Sequence, residues 1–217
     1  MPDPEGAEGV YRNGLAGGPD AKTMSELLKW LTDGPPVPDG FLVFPQTPET
    51  DIRTAYEELK IRVKTHFVAV RGASHAVLNV IGPDQLIHTL RRFWAELPDS
   101  PLLIQRMVHS MWCGKVEWQE RNLHITANEG MMILDPDTYL FNTETGTCTQ
   151  MTLKPKQRRM IRYVDGTTRT VERTGERTPM TLEQLQSIAR LADSAQANIT
   201  WAIDDRDVVW LISVKEE

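Results

Sequence analysis

The sequence predicts an α+β protein with much antiparallel sheet, and three observations carry that reading. The first half alternates apolar stripes of helical period with short apolar runs. The second half holds brief β-type runs separated by hairpin turns. The chain has 217 residues, 40% of them hydrophobic and 25% charged, enough to build a real core in one sizeable domain or two small lobes.

The elements follow in order. Residues 1–16 read as a mobile tail, since the first twenty residues hold five Gly and three Pro and no apolar period. Thr23-Met24-Ser25-Glu26 has capping-box spacing ahead of Leu27, Leu28 and Leu31, a short helix that stops at Asp33-Gly34-Pro35-Pro36. Gly40 to Phe44 reads as a buried strand. Thr50-Asp51 opens a helix whose one face carries Ile52, Ala55, Tyr56, Leu59 and Val63. Phe67–Val70 and Ala76–Ile81 are strands, and Pro83-Asp84 starts a helix with Leu86, Ile87, Leu90, Phe93, Trp94 and Leu97 in one stripe. Pro98 to Pro101 mark a change of texture. Strands are expected at 102–108, 115–118, 123–126, 139–141, 148–153, 160–164 and 168–171, with Asp165-Gly166 the strongest hairpin signal. Thr181-Leu182-Glu183-Gln184 is a second capping box, opening a helix through Ala192. Strands 199–203 and 208–214 close the chain.

Composition excludes several classes. No apolar stretch approaches the ~20 residues of a membrane span, and the N-terminus lacks the basic and apolar regions of a secretory signal, so a cytoplasmic location is expected. Two cysteines, Cys113 and Cys148, give neither a disulfide framework nor an all-cysteine metal site. The net charge of −6 argues against nucleic acid as a partner. Residues 152–177 oppose that balance with eight Lys/Arg against three Asp/Glu. No serine elbow, Walker loop or dinucleotide fingerprint is present.

Several segments, taken in order, resemble the ATP-binding domain of phosphoenolpyruvate synthase and pyruvate phosphate dikinase. Gly17-Gly18 and a helix precede Gly34-Pro35-Pro36-Val37-Pro38-Asp39-Gly40-Phe41, similar to that family's Gly-Leu-Pro-Val-Pro-x-Gly-Phe. Val68-Ala69-Val70-Arg71 resembles Val-Ala-Val-Arg-Ser-Ser, Leu103 to Val108 resembles Val-Val-Gln-x-Met-Val, and Pro136 to Tyr139 resembles Pro-Asp-x-Tyr. Ile199-Thr200-Trp201-Ala202-Ile203-Asp204 resembles the closing Ile-Glu-Trp-Ala-Ile-Asp. The resemblance implies an ATP-grasp-like plan, with one lobe over 17–100, a second over 101–217 and a nucleotide cleft between them. The family domain binds ATP and magnesium and phosphorylates a histidine on a swivelling domain.

The same alignment shows departures. The phosphate lysine of Gly-Gly-Lys is replaced by Pro19 or Asp20, with Lys22 out of register, and Ser-Ser after the arginine has become Gly72-Ala73. The loop that carries the family's glutamate reads Ala127 to Ile133, with an apolar residue at that position. The family's magnesium ligands correspond to Thr200 and Ile212. Phosphoryl transfer depends on cations and carboxylate-type metal ligands, so the expectation is a domain that has left that chemistry.

The expected function is therefore a pocket for another small molecule, without a cofactor: a cyclase or isomerase of specialised metabolism that holds a reactive conformer and excludes water. Arg71 would orient an anionic or carbonyl group, with a strand-end salt bridge as the alternative. Gln105 would give a hydrogen bond, and Met107, Met111 and Trp112 would shape the wall or simply fill lobe core. Glu129 is a candidate acid or base. In a second reading Lys22 and Arg71 hold the phosphates of ATP, Glu129 helps with magnesium, and the chain is an active phosphotransferase. In a third, Lys154, Lys156, Arg158 and Arg159 of the basic hairpin bind a protein partner, or form a solvated face. A homodimer that covers the cleft is also expected.

Overall fold

In the computed structural model, residues 11–12, 36–72, 75–131, 135–155, 158–163, 165–172 and 179–215 are described. The tail, Gly17-Gly18, Lys22, the helix expected at 24–31 and Lys156 lie outside the described residues. The chain divides into two compact units, one containing residues 38–107 and the other residues 34–37 and 108–217.

The first unit carries β1 (Tyr11–Arg12), β2 (Gly40–Val43), α1 (Glu49–Val63), β3 (Phe67–Arg71), β4 (Ala76–Ile81), α2 (Gly82–Glu96) and β5 (Leu102–Arg106). Its five strands run in the order β1-β2-β5-β3-β4, with every pairing antiparallel. The predicted stripes are the buried faces: Ile52, Ala55, Tyr56 and Leu59 of α1 and Leu86, Ile87, Leu90 and Phe93 of α2 share one core with Phe41, Val43, Val68, Val70, Leu102 and Ile104. Because strand side chains alternate, Leu42, Ala69, Leu103, Gln105 and Arg71 fall on the other face of the same sheet.

Tyr56 joins three elements of this unit. Its hydroxyl donates to the carbonyl of His66 at 2.9 Å and accepts from the N–H of Gly82 at 2.7 Å. Gly82 has φ +76°, a conformation that favours glycine, and turns β4 directly into α2, where Pro83 occupies the first turn. The helix expected to open at Thr50-Asp51 starts one residue earlier, at Glu49, behind Pro48 and without a side-chain cap. Proline supplies the fixed backbone angle there instead of a capping oxygen. The expected change of texture at Pro98–Pro101 does not separate the units: β5 follows it and still belongs to the first sheet, because its two edges pair with β2 and β3.

The second unit carries β6 (Trp112–Gln119), β7 (Asn122–Glu129), β8 (Asp137–Asn142), β9 (Thr147–Thr152), β10 (Arg158–Arg162), β11 (Thr168–Glu172), α3 (Leu182–Ala195), β12 (Asn198–Ile203) and β13 (Val209–Lys215). Six strands form an antiparallel sheet in the order β13-β12-β6-β7-β8-β9, and β10 and β11 form a separate hairpin. The expected Thr181 capping box is complete: Thr181 Oγ1 accepts from Gln184 N, and the Gln184 side chain accepts from Thr181 N. At the Asp165-Gly166 turn, Asp165 Oδ1 accepts from the backbone and hydroxyl of Thr167, and Gly166 sits at φ +83°. Both signals act through local hydrogen bonds, which is why they are readable from short spacing. The chain is thus α+β, with an antiparallel sheet in each unit. Among the described residues no helix is long and apolar enough to cross a membrane.

Candidate functional site

Three segments of the first unit lie side by side on β2, β5 and β3. Gly40 is paired with Gln105 across β2–β5, and Gln105 with Ala69 across β5–β3. A β-carbon on Gly40 would overlap the Ile104 carbonyl oxygen and lie 3.1 Å from Gln105 Cα, so only glycine lets β2 approach β5 this closely. Pro38 and Asp39 complete the contact. The Pro38 carbonyl accepts from Gln105 Nε2 at 3.1 Å, and the Asp39 carbonyl accepts from Arg106 N at 2.8 Å.

This register brings Arg71 and Gln105 together although 34 residues separate them. Arg71 Nε donates to Gln105 Oε1 at 3.0 Å. Gln105 is 1% exposed and has both ends of its amide engaged by protein, so it fixes where the guanidinium sits. Burial pulls the Arg71 pKa below its ordinary value, because a desolvated cation loses hydration. Among the described residues no carboxylate lies within ion-pair distance of Arg71. The guanidinium therefore retains donors and a positive charge that no described carboxylate balances.

The Gly72 that follows leaves room for an aromatic contact. A β-carbon there would stand 2.9 Å from the Phe93 ring, and the His75 ring stacks on Phe93 with centroids 4.4 Å apart. A serine at this position would meet that ring, a physical reason for glycine where the resembled family has serine. Met107 follows directly, its N–H donating to the Phe67 carbonyl at 3.0 Å.

The remaining candidates fall in the second unit. Met111 is exposed and Trp112 half-buried at the start of β6. Glu129, at the end of β7, accepts from Arg159 Nη1 at 3.1 Å. These two come from strands 30 residues apart, and the sequence placed Arg159 only in the basic hairpin. Glu129, Arg159 and Met111 line a pocket of about 220 Å³ together with Met131, Met160 and Arg162. Of the other acids, Asp137 is fully buried and accepts from Lys154 N at 3.0 Å, fixing the loop after β9. Asp204 holds the turn between β12 and β13, accepting from the backbones of Arg206 and Val208 and from the indole of Trp210. Among the described residues no group of three or more His, Cys, Asp and Glu is disposed to hold a metal ion.

No family model matches the chain. No curated protein matches it either. Among solved structures it is similar to a D-alanine–D-alanine ligase from Bacillus anthracis, at 10% identity over 90% of this chain and 55% of that one, with a TM-score of 0.49. It is similar to the corresponding ligase from Coxiella burnetii at 13% identity, over 87% of this chain and 46% of that one, with a TM-score of 0.49. D-alanyl-alanine synthetase A from Vibrio cholerae gives 16% identity, 89% and 54% coverage, and a TM-score of 0.46. The chain spans about half the length of these ligases. Likeness of this degree assigns no activity to the chain, whose α+β class rests on its own strands and helices.

Proposed function

We propose that this chain is an ATP-grasp-like domain, diverged from the ATP-binding domain of the phosphoenolpyruvate synthase type, that holds a small anionic or carbonyl-bearing molecule at Arg71. The observation that carries the reading is the guanidinium itself: desolvated, positioned by Gln105, and without a described carboxylate to balance it. A bound anion would supply that balance through the bidentate geometry arginine favours. Gln105 serves as a positioning residue. The ordered sequence motifs support the ATP-grasp-like part of the proposal. Pro19 or Asp20, Thr200 and Ile212 at the family's phosphate and metal positions support a chemistry other than phosphoryl transfer.

In the finer form of the proposal the domain accelerates a cyclisation or isomerisation without ATP, magnesium or another cofactor. Arg71 orients the reacting molecule, and exclusion of water favours one conformer. The test is anion-dependent thermal stabilisation, with phosphate and acetate as probes, of the wild type, Arg71→Lys and Arg71→Met. Stabilisation that falls in Arg71→Lys and vanishes in Arg71→Met supports the proposal, whereas equal stabilisation of all three proteins refutes it.

A further inference from the structure

The Arg71 guanidinium is closed on one edge and open at its end. Its Nε donates to Gln105 Oε1 at 3.0 Å, and Gln105 Nε2 is tied to the Pro38 carbonyl at 3.1 Å. Gln105 is buried, so its amide leaves no room for a ligand on the Nε side. On the sheet Arg71 stands opposite Leu103, which is fully buried, as are its face neighbours Leu42 and Ala69. Arg71 itself is only half-buried. A guanidinium offers a bidentate acceptor two forks, the Nε–Nη edge and the Nη–Nη end. Gln105 takes up the first, and the end-on fork remains.

Charge narrows the ligand further. Among the described residues no carboxylate lies within ion-pair distance of Arg71. On β2, β3, β4 and β5 the other charged residue is Arg106. It pairs with Val68 on the helix side of the sheet and lies 3.8 Å from the Asp39 carboxylate. The ring of His75 is turned to the helix side as well, stacked on Phe93. A ligand at Arg71 therefore meets one positive charge in a partly desolvated setting, consistent with the lowered pKa of that group. Attraction to this charge grows in proportion to the charge of the ligand, whereas the cost of dehydration grows with its square. A dianion gains about twice the attraction of a monoanion and costs about four times as much to dehydrate. A carboxylate brings one charge and two coplanar oxygens, which match the end-on fork.

We propose that Arg71 recognises a monocarboxylate end-on, through its two Nη groups, and discriminates against phosphate esters. This rests on the anion-binding reading of Arg71 given above and adds the class of anion. Isotope-labelled full-length protein is titrated with acetate, methyl phosphate and neutral acetamide at constant ionic strength. The pH is about 8, where a phosphate monoester with its second pKa at ~6 is a dianion. The readout is the amide resonances of β3 and β5. Acetate is expected to bind with a Kd at least about tenfold below those of methyl phosphate and acetamide. Arg71→Met should abolish the acetate shifts. Arg71→Lys keeps the charge but not the planar fork and should weaken acetate about tenfold. Arg71-dependent binding of methyl phosphate as tight as that of acetate would overturn the carboxylate assignment and leave the anion reading standing. Equal affinity for acetate and acetamide would overturn it too. Absence of shifts with either anion, or shifts undiminished in Arg71→Met, would overturn both. The ranking of the three probes is measured on the wild type and decides the class of anion even where a variant fails to fold.

Discussion

Replacing Arg71 with methionine separates a ligand-binding arginine from a structural one, because the two roles give stability changes of different size. The variant loses the Nε–Gln105 hydrogen bond, a contact to a charged group worth ~1.5–3 kcal/mol. It also removes a cation whose burial is unfavourable, as its lowered pKa shows, and relief of a desolvated charge is worth several kcal/mol. Methionine keeps much of the aliphatic stem. These contributions oppose each other, so Arg71→Met in anion-free buffer should lie within ~1 kcal/mol of the wild type. With ligand at a hundred times its Kd, the wild type should gain ~2.7 kcal/mol and the variant nothing. Hydrogen exchange of the β3 and β5 amides measures this within the first unit, apart from unfolding of the second. A loss of ~3–5 kcal/mol in anion-free buffer, the amount expected for breaking a buried ion pair, would refute the reasoning and make Arg71 a structural residue.

Two further substitutions test the second unit. Asp204→Ala should cost ~3 kcal/mol at neutral pH, since it leaves the N–H groups of Arg206 and Val208 and the Trp210 indole without their acceptor. Burial raises the Asp204 pKa, but the hydrogen bonds from Trp210, Arg206 and Val208 outweigh it and hold the carboxyl below its ordinary value. Its stabilisation is therefore full above the unfolded-state pKa of ~3.9 and is lost as pH falls through the lower folded value. Denaturant melts of wild type and variant should converge in acid, and a pH-independent gap would contradict this assignment. Gly114→Ala should destabilise the six-stranded sheet by ~2–4 kcal/mol, because the added carbon would overlap the Thr126 carbonyl and lie 2.6 Å from the Trp201 ring. Near-wild-type melting of that variant would show that β6 and β7 can move apart at no cost.

What the sequence could reveal was whatever depends on near neighbours. The Thr181–Gln184 box, the Asp165-Gly166 turn and the stripes of α1 and α2 are local patterns, and the structure contains each of them. Sheet order is not local. Nothing in the 102–106 run states that it inserts between β2 and β3, yet that insertion brings Gln105 against Arg71. Both residues were legible as candidates, but their contact was not. Glu129 was likewise legible as an acid near the end of a strand, while its partner Arg159 lay within a charge run that reads as a solvated face. Asp204 was visible only as the end of a motif, because its role depends on three donors gathered by the turn after it.

The proposal that this chain is an ATP-grasp-like domain that has left phosphoryl transfer is tested most directly by calorimetric titration of the full chain with ATP, with and without magnesium. The account predicts no magnesium-dependent binding in the micromolar range, because Pro19 or Asp20, Thr200 and Ile212 stand where the resembled family has its phosphate and metal ligands. Micromolar binding that requires magnesium and is lost in Arg71→Met would contradict it and return the chain to ATP-dependent chemistry.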